Sequence, residues 1–155
     1  MAGRVEGKVA IVTGAGSAAG APGAGIGQAI ALELGRQGAQ VIGTATSADG
    51  AEKISAALKE KGVAGKGMML DVNSAESIAA VLSEIEKSSG APTILVNNAG
   101  ITRDNLLLRM SEEEWDAIMN TNLKSVYRMS KACLRAMTKA RGGRIISISS
   151  VVGAI

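Results

Sequence analysis

The chain has 155 residues, 46% of them hydrophobic, and 17 Lys and Arg against 14 Asp and Glu give it a net charge of +3. It holds no His, no Phe, one Cys, one Trp and one Tyr, which excludes His-dependent triads, most zinc sites and a disulfide framework. It also lacks the aromatic side chains that nucleic-acid readers set among their cations, and no apolar run approaches the ~20 residues of a membrane span, so neither nucleic acid nor membrane is expected as a partner.

From the N-terminus, Lys8 to Thr13 is rich in β-branched residues and bounded by glycine, and reads as a buried parallel strand. A glycine-rich turn from Gly14 to Gly27 then delivers the chain into a helix over 25–37. Further strands are expected at Gln40 to Ala45, Gly67 to Asp71, Thr93 to Asn97 and Arg144 to Ser149, with helices at 50–61, 74–88 and 112–140. Ser111 followed by Glu114 forms a capping box, and Gly38, Gly62, Gly90 and Gly142 stand as C-terminal stops. Trp115, Met119, Met129 and Met137 share a helical face and suit core or interface. Cys133, inside the same helix, suits a small buried hydrophobe better than a nucleophile. Lys139, Arg141 and Arg144 read as a solvated helix end.

Strands alternating with helices imply an α/β fold, a doubly wound parallel sheet with right-handed crossovers, truncated after the fifth strand. The expected organisation is one nucleotide-binding domain over residues 1–155, incomplete at its C-terminus. Ligands of such sheets lie at the carboxyl ends of the strands, here a rim of Thr13, Thr44, Asp71, Asn97 and Ser149. In the first turn, glycines let backbone N–H groups and a helix N-terminus approach a pyrophosphate. The second strand ends Thr44-Ala45-Thr46-Ser47, neutral and hydroxyl-bearing, where an NAD site places a carboxylate. That favours NADP, with Asp49 the one acid near enough in sequence to oppose it. Taken singly, Asn97, Asn98 and Asn122 are also ordinary residues for element ends and exposed faces, and Ser150 is one of three closely spaced serines with Ser147 and Ser149.

The motifs occur in an order that resembles the short-chain dehydrogenase/reductase family, in particular its branch that reduces 3-oxoacyl groups in bacterial fatty-acid synthesis. The resemblance rests on Glu6 to Gly14, Val41 to Ser47, Ile94 to Asn105, Glu114-Trp115, Thr121-Asn122-Leu123, Gly143 to Ile146 and Ser150 to Gly153. It implies a Rossmann-like fold and a cofactor loop at Gly14, Ala15, Gly25, Ile26 and Gly27. It further implies a 2′-phosphate contact at Thr46, adenine neighbours Asp71 and Val72, and a ribose-lining motif at Asn98, Ala99 and Gly100. Asn122 resembles the family's proton-relay asparagine, and Ser150 the serine that hydrogen-bonds the substrate carbonyl. The implied reaction is hydride transfer from NADPH to a 3-oxoacyl thioester on acyl carrier protein, by a cytoplasmic homo-oligomer, the family commonly forming tetramers. Another carbonyl substrate, or nucleotide binding without catalysis, are the alternatives.

Two departures from the family stand out. The run between Gly14 and Gly25 is longer than usual and lacks the family's arginine before Gly-Ile-Gly. The family's Tyr-x-x-x-Lys pair follows the serine by about a dozen residues, and the sequence stops short of it, so these 155 residues alone are expected to be inactive. Tyr127 and Lys131 have that spacing but precede Ser150 and sit on the helix of Asn122, which marks them as structural.

Overall fold

A computed structural model describes residues 3–16 and 25–153. Residues 17–24, the middle of the glycine-rich run, lie outside the described residues. Five strands, β1 (Val9–Val12), β2 (Gln40–Ala45), β3 (Gly65–Met69), β4 (Pro92–Asn97) and β5 (Arg144–Ser147), form one parallel sheet in the order β3-β2-β1-β4-β5. Between them run α1 (Ile26–Arg36), α2 (Ala48–Glu60), α3 (Ala75–Ser88), α4 (Glu112–Ile118) and α5 (Ser125–Lys139).

Alternation along the central strands divides the core between the two faces. Val9, Ile11, Ile42 and Leu95 pack with Ile78, Val81 and Ile85 of α3 and Met129, Cys133 and Met137 of α5. Ala10, Val12, Val41, Ile94 and Val96 pack on the other side with Ala31 of α1 and Ile54 and Leu58 of α2. Strand order reverses between β2-β1 and β1-β4, which is the switch point of a doubly wound sheet. Pro92 stands opposite Val9, and the β1–β4 register shifts between Val9 and Ala10, where proline has no N–H to offer the ladder.

The helices begin and stop largely where the sequence marks them. Ser47, Ser74 and Ser111 each accept a backbone N–H at an N-cap, and Ser111 with Glu114 completes the capping box. Gly38, Gly62 and Gly90 take left-handed φ of 95°, 66° and 101° after α1, α2 and α3. After α5 that conformation falls on Arg141 (φ 53°) instead of Gly142.

Three expectations need correction. β3 starts two residues earlier than the sequence suggests and ends before Asp71, leaving Asp71 in the loop. The expected helix 112–140 is interrupted by a π turn, Met119–Lys124, between α4 and α5. The supposed common face of that helix also divides: Met129 and Met137 are buried, whereas Trp115 is 55% exposed and Met119 37%. β5 is an edge strand, with Ile145 and Ile146 exposed to 40% and 46%.

Cys133 is fully buried, and desolvation, followed by the charge of Glu86, pushes its thiol up to about 12. Since the thiolate is the nucleophile, the native protein should resist iodoacetamide near pH 8.5, where a free thiol is half ionised. Labelling is expected only on denaturation, as read by mass spectrometry.

Candidate functional site

The site is built from the carboxyl ends of β1, β2, β3 and β4. At the end of β1, Thr13 is buried, and its Oγ1 accepts the N–H groups of Asn98 and Ala99, each at 3.0 Å, while donating to the Val96 carbonyl at 3.4 Å. Asn98 answers from just past β4, its Nδ2 donating to the carbonyls of Thr13 (3.2 Å) and Gly14 (2.9 Å). Gly14 has φ 63°, and a Cβ on it would stand 2.9 Å from the Cα of Ala99. A Cβ on Gly27 would lie 2.3 Å from the Gly14 carbonyl oxygen and 2.5 Å from Asn98 Nδ2. These two glycines therefore let β1, β4 and α1 meet, whatever else they admit. Among the described residues, by contrast, nothing stands within 4 Å of a Cβ placed on Gly16.

Above this floor lies a cleft of about 520 Å³. Ten of the thirteen residues expected from sequence line it: Gly14, Gly25, Ile26, Gly27, Thr46, Asp71, Val72, Asn98, Ala99 and Gly100. Gly25 is the N-cap of α1; among the described residues no side chain caps that helix, and no acid occupies its first turn. No described side chain takes its first N–H groups, which suit an anionic ligand. Thr46 is exposed at the cleft. Asp49, the acid that opposes NADP, turns instead to Lys53 at 2.6 Å in the first turn of α2 and does not line the cleft.

Three expected residues lie elsewhere. Ala15 is fully buried; its N–H bonds the Thr44 carbonyl at 2.9 Å, and its methyl packs beneath Gly43. It fastens the first turn to β2 and does not line the cleft. Asn122 spends both amide atoms on Ile101, Oδ1 accepting the Ile101 N–H and Nδ2 donating to its carbonyl, each at 2.8 Å. Its side chain thereby clamps the segment after Gly100. Ser150 is exposed beside the 3-10 turn Val151–Gly153, and its Oγ accepts the Val152 N–H at 3.3 Å.

The cleft also holds Asn73, Ile101 and Thr121, which sequence reasoning missed. Each directly neighbours a residue that it singled out, and that adjacency was the available signal. A larger groove of about 710 Å³ runs along α4, the π turn and α5 past Met119, Leu123 and Tyr127. It shares no lining residue with the cleft. Tyr127 and Lys131 do meet, with Nζ 3.3 Å from the phenol oxygen, but on this outer side. Among the described residues, no helix is long and apolar enough to cross a membrane, and no His, Cys, Asp and Glu cluster suits a metal.

Comparison with known proteins agrees with this geometry. The short chain dehydrogenase family matches residues 8–155. The chain belongs to that family, whose members use a nicotinamide nucleotide. It is 64% identical over 151 residues to the 3-oxoacyl-[acyl-carrier-protein] reductase FabG of Pseudomonas aeruginosa. To the proteins of the same name from Haemophilus influenzae and Escherichia coli it is 58% and 57% identical, over 149 and 148 residues. These alignments cover 97%, 96% and 96% of the chain but only 58%, 57% and 57% of the relatives. The chain thus spans under three fifths of their length.

Replacing Gly27 by Ala forces the new methyl against backbone. Gly27→Ala should weaken nucleotide binding by roughly tenfold or more, the equivalent of about 1.4 kcal/mol, as measured by calorimetry on the intact protein. Gly16→Ala should leave the thermal midpoint unchanged.

Proposed function

We propose that the intact protein reduces the 3-oxo group of an acyl thioester carried on acyl carrier protein, using NADPH. The observation that carries this reading is the convergence, at the sheet's switch point, of a helix N-terminus that no described side chain caps with ten of the expected site residues on one cleft. The names of the relatives supply the substrate class.

The donor set fits a dinucleotide. Backbone N–H groups at Gly25–Gly27 suit the pyrophosphate. Thr46 suits a 2′-phosphate, because it offers a hydroxyl donor with no repelling charge. Asp71 and Val72 border the adenine end, and Asn98 to Gly100 the ribose. When bound, the nicotinamide supplies a hydride to the 3-oxo carbon. Ser150 would hydrogen-bond the carbonyl oxygen as the hydride arrives, and a proton from the tyrosine of the family's Tyr-x-x-x-Lys pair would complete the 3-hydroxyacyl thioester. Asn122 acts through the segment that it clamps and is a positioning residue. Tyr127, the one tyrosine in the sequence, faces the outer groove and is not that proton's donor. The exposed apolar side chains of the groove suit association of copies in a cytoplasmic homo-oligomer.

Two measurements test the reading. The intact protein should consume NADPH with an acetoacetyl thioester and release the 3-hydroxybutyryl product; no consumption overturns the substrate assignment. Thr46→Asp places a carboxylate where the 2′-phosphate lies, and like charges at such range repel strongly. The ratio of kcat/KM for NADPH over NADH should fall by about tenfold or more.

A further inference from the structure

Asn73 and Thr121, neither of them among the expected site residues, meet across one wall of the cleft: Asn73 Nδ2 donates to Thr121 Oγ1 at 2.9 Å, across 48 residues of sequence. Each stands next to a different functional element. Asn73 ends the loop that follows β3, one residue past Asp71 and Val72. Thr121 lies in the π turn, one residue before Asn122.

The two sides differ in how firmly they are held. On the β3 side, the Asn73 N–H bonds Asp71 Oδ1 at 2.9 Å, and the Asp71 N–H bonds Ser77 Oγ at 3.1 Å. Ser77 itself sits in the first turn of α3, its N–H capped by Ser74 at 3.1 Å. The Asn73 amide is therefore presented from a loop fixed by a helix start. On the other side, a π turn interrupts the regular ladder, and such turns collect at functional sites. Thr121 is buried there, its carbonyl accepting the Ser125 hydroxyl.

We propose that the Asn73–Thr121 hydrogen bond is a strut that positions the π turn, and with it the Asn122 clamp on Ile101, against the nucleotide cleft. The strut joins the adenosine end of the cleft to the segment after Gly100 through a continuous series of bonds: Ser77 to Asp71, Asp71 to Asn73, Asn73 to Thr121, then one peptide link to Asn122 and on to Ile101. Asn73 and Thr121 are positioning residues. The link to turnover rests on the reductase reading; the mechanical claim does not.

The test uses the intact protein with Thr121→Val, Asn73→Ala, the double variant and Thr121→Ser. Valine keeps the shape of threonine and deletes the acceptor, whereas serine keeps the hydroxyl. The first readout is amide hydrogen exchange at Ile101, whose N–H is held by Asn122. The second is kcat against KM for NADPH. Thr121→Val and Asn73→Ala should each speed Ile101 exchange and lower kcat by roughly 3- to 10-fold, the factor that one ordinary hydrogen bond corresponds to. KM should stay within about twofold if only transition-state positioning is lost. The double variant should be no worse than the worse single one, since both remove one contact, and Thr121→Ser should match the parent. Unchanged Ile101 exchange in Thr121→Val, additive single effects, or a fall in thermal midpoint alone would each overturn the strut. If the parent itself does not consume NADPH, the reductase reading fails, and Ile101 exchange by itself then decides for or against the strut.

Discussion

The buried hydroxyl of Thr13 is the joint on which the rest of the site depends. One oxygen accepts two successive backbone N–H groups from the end of β4 and donates to a third backbone group there. Leaving a buried N–H unpaired costs about 1–3 kcal/mol, so this one side chain prevents a penalty comparable to a sizeable part of a domain's net stability. It does so at the point where the strand order reverses and the crevice must open. Asn98 returns two bonds to the chain at Thr13 and Gly14, and the two missing side chains, at Gly14 and Gly27, let β4 and α1 close onto this joint. The floor of the cleft is thus an arrangement of main chain held by two side chains and admitted by two glycines.

That economy explains which parts of the molecule were legible in the sequence. Strands and helices declare themselves by apolar period and by caps, so β2, the serine-capped starts of α3 and α4, and the glycine stops of α1 to α3 fall where composition places them. β3 was harder because its residues, Gly65-Lys66-Gly67-Met68-Met69, carry little apolar pattern; its register is set by pairing with Val41 to Ala45. The π turn has no composition signal of its own; its i→i+5 bonds take more residues per turn than an α-helix, so a face extrapolated through it at the regular helical period does not hold. Ala15 and Asn122 show a related limit. Both belong to the site's construction, yet one side chain is buried under β2 and the other is spent on Ile101. A motif identifies the neighbourhood of a site and not the atoms that face it.

Tyr127 and Lys131 make the same point from the opposite direction. The i, i+4 spacing does bring the phenol and the ammonium together, as helical geometry requires. Context assigns Tyr127 to the outer groove, with Met119 and Leu123, and neither residue of the pair lines the cleft of Gly100 and Asn98. Spacing determines contact within a helix; only the path of the helix determines what that contact faces.

The start of α1 lacks the local stabilisation that the starts of α2, α3 and α4 have. A side-chain cap is worth about 1 kcal/mol, and α2, α3 and α4 each have one from a serine. α1 has Gly25 and no acid in its first turn, although Ser, Asp or Asn there would satisfy its orphan N–H groups. A capping oxygen would occupy the donors that an anion needs, and a carboxylate would also oppose the anion's charge. Ile26 beside them, 66% exposed, is equally uneconomical for a helix that need only fold. Each choice that weakens this terminus as a structural element suits the phosphate-binding role proposed for it. The serine-capped starts of α2, α3 and α4 contrast with this terminus at the mouth of the cleft, where no described side chain takes the first N–H groups.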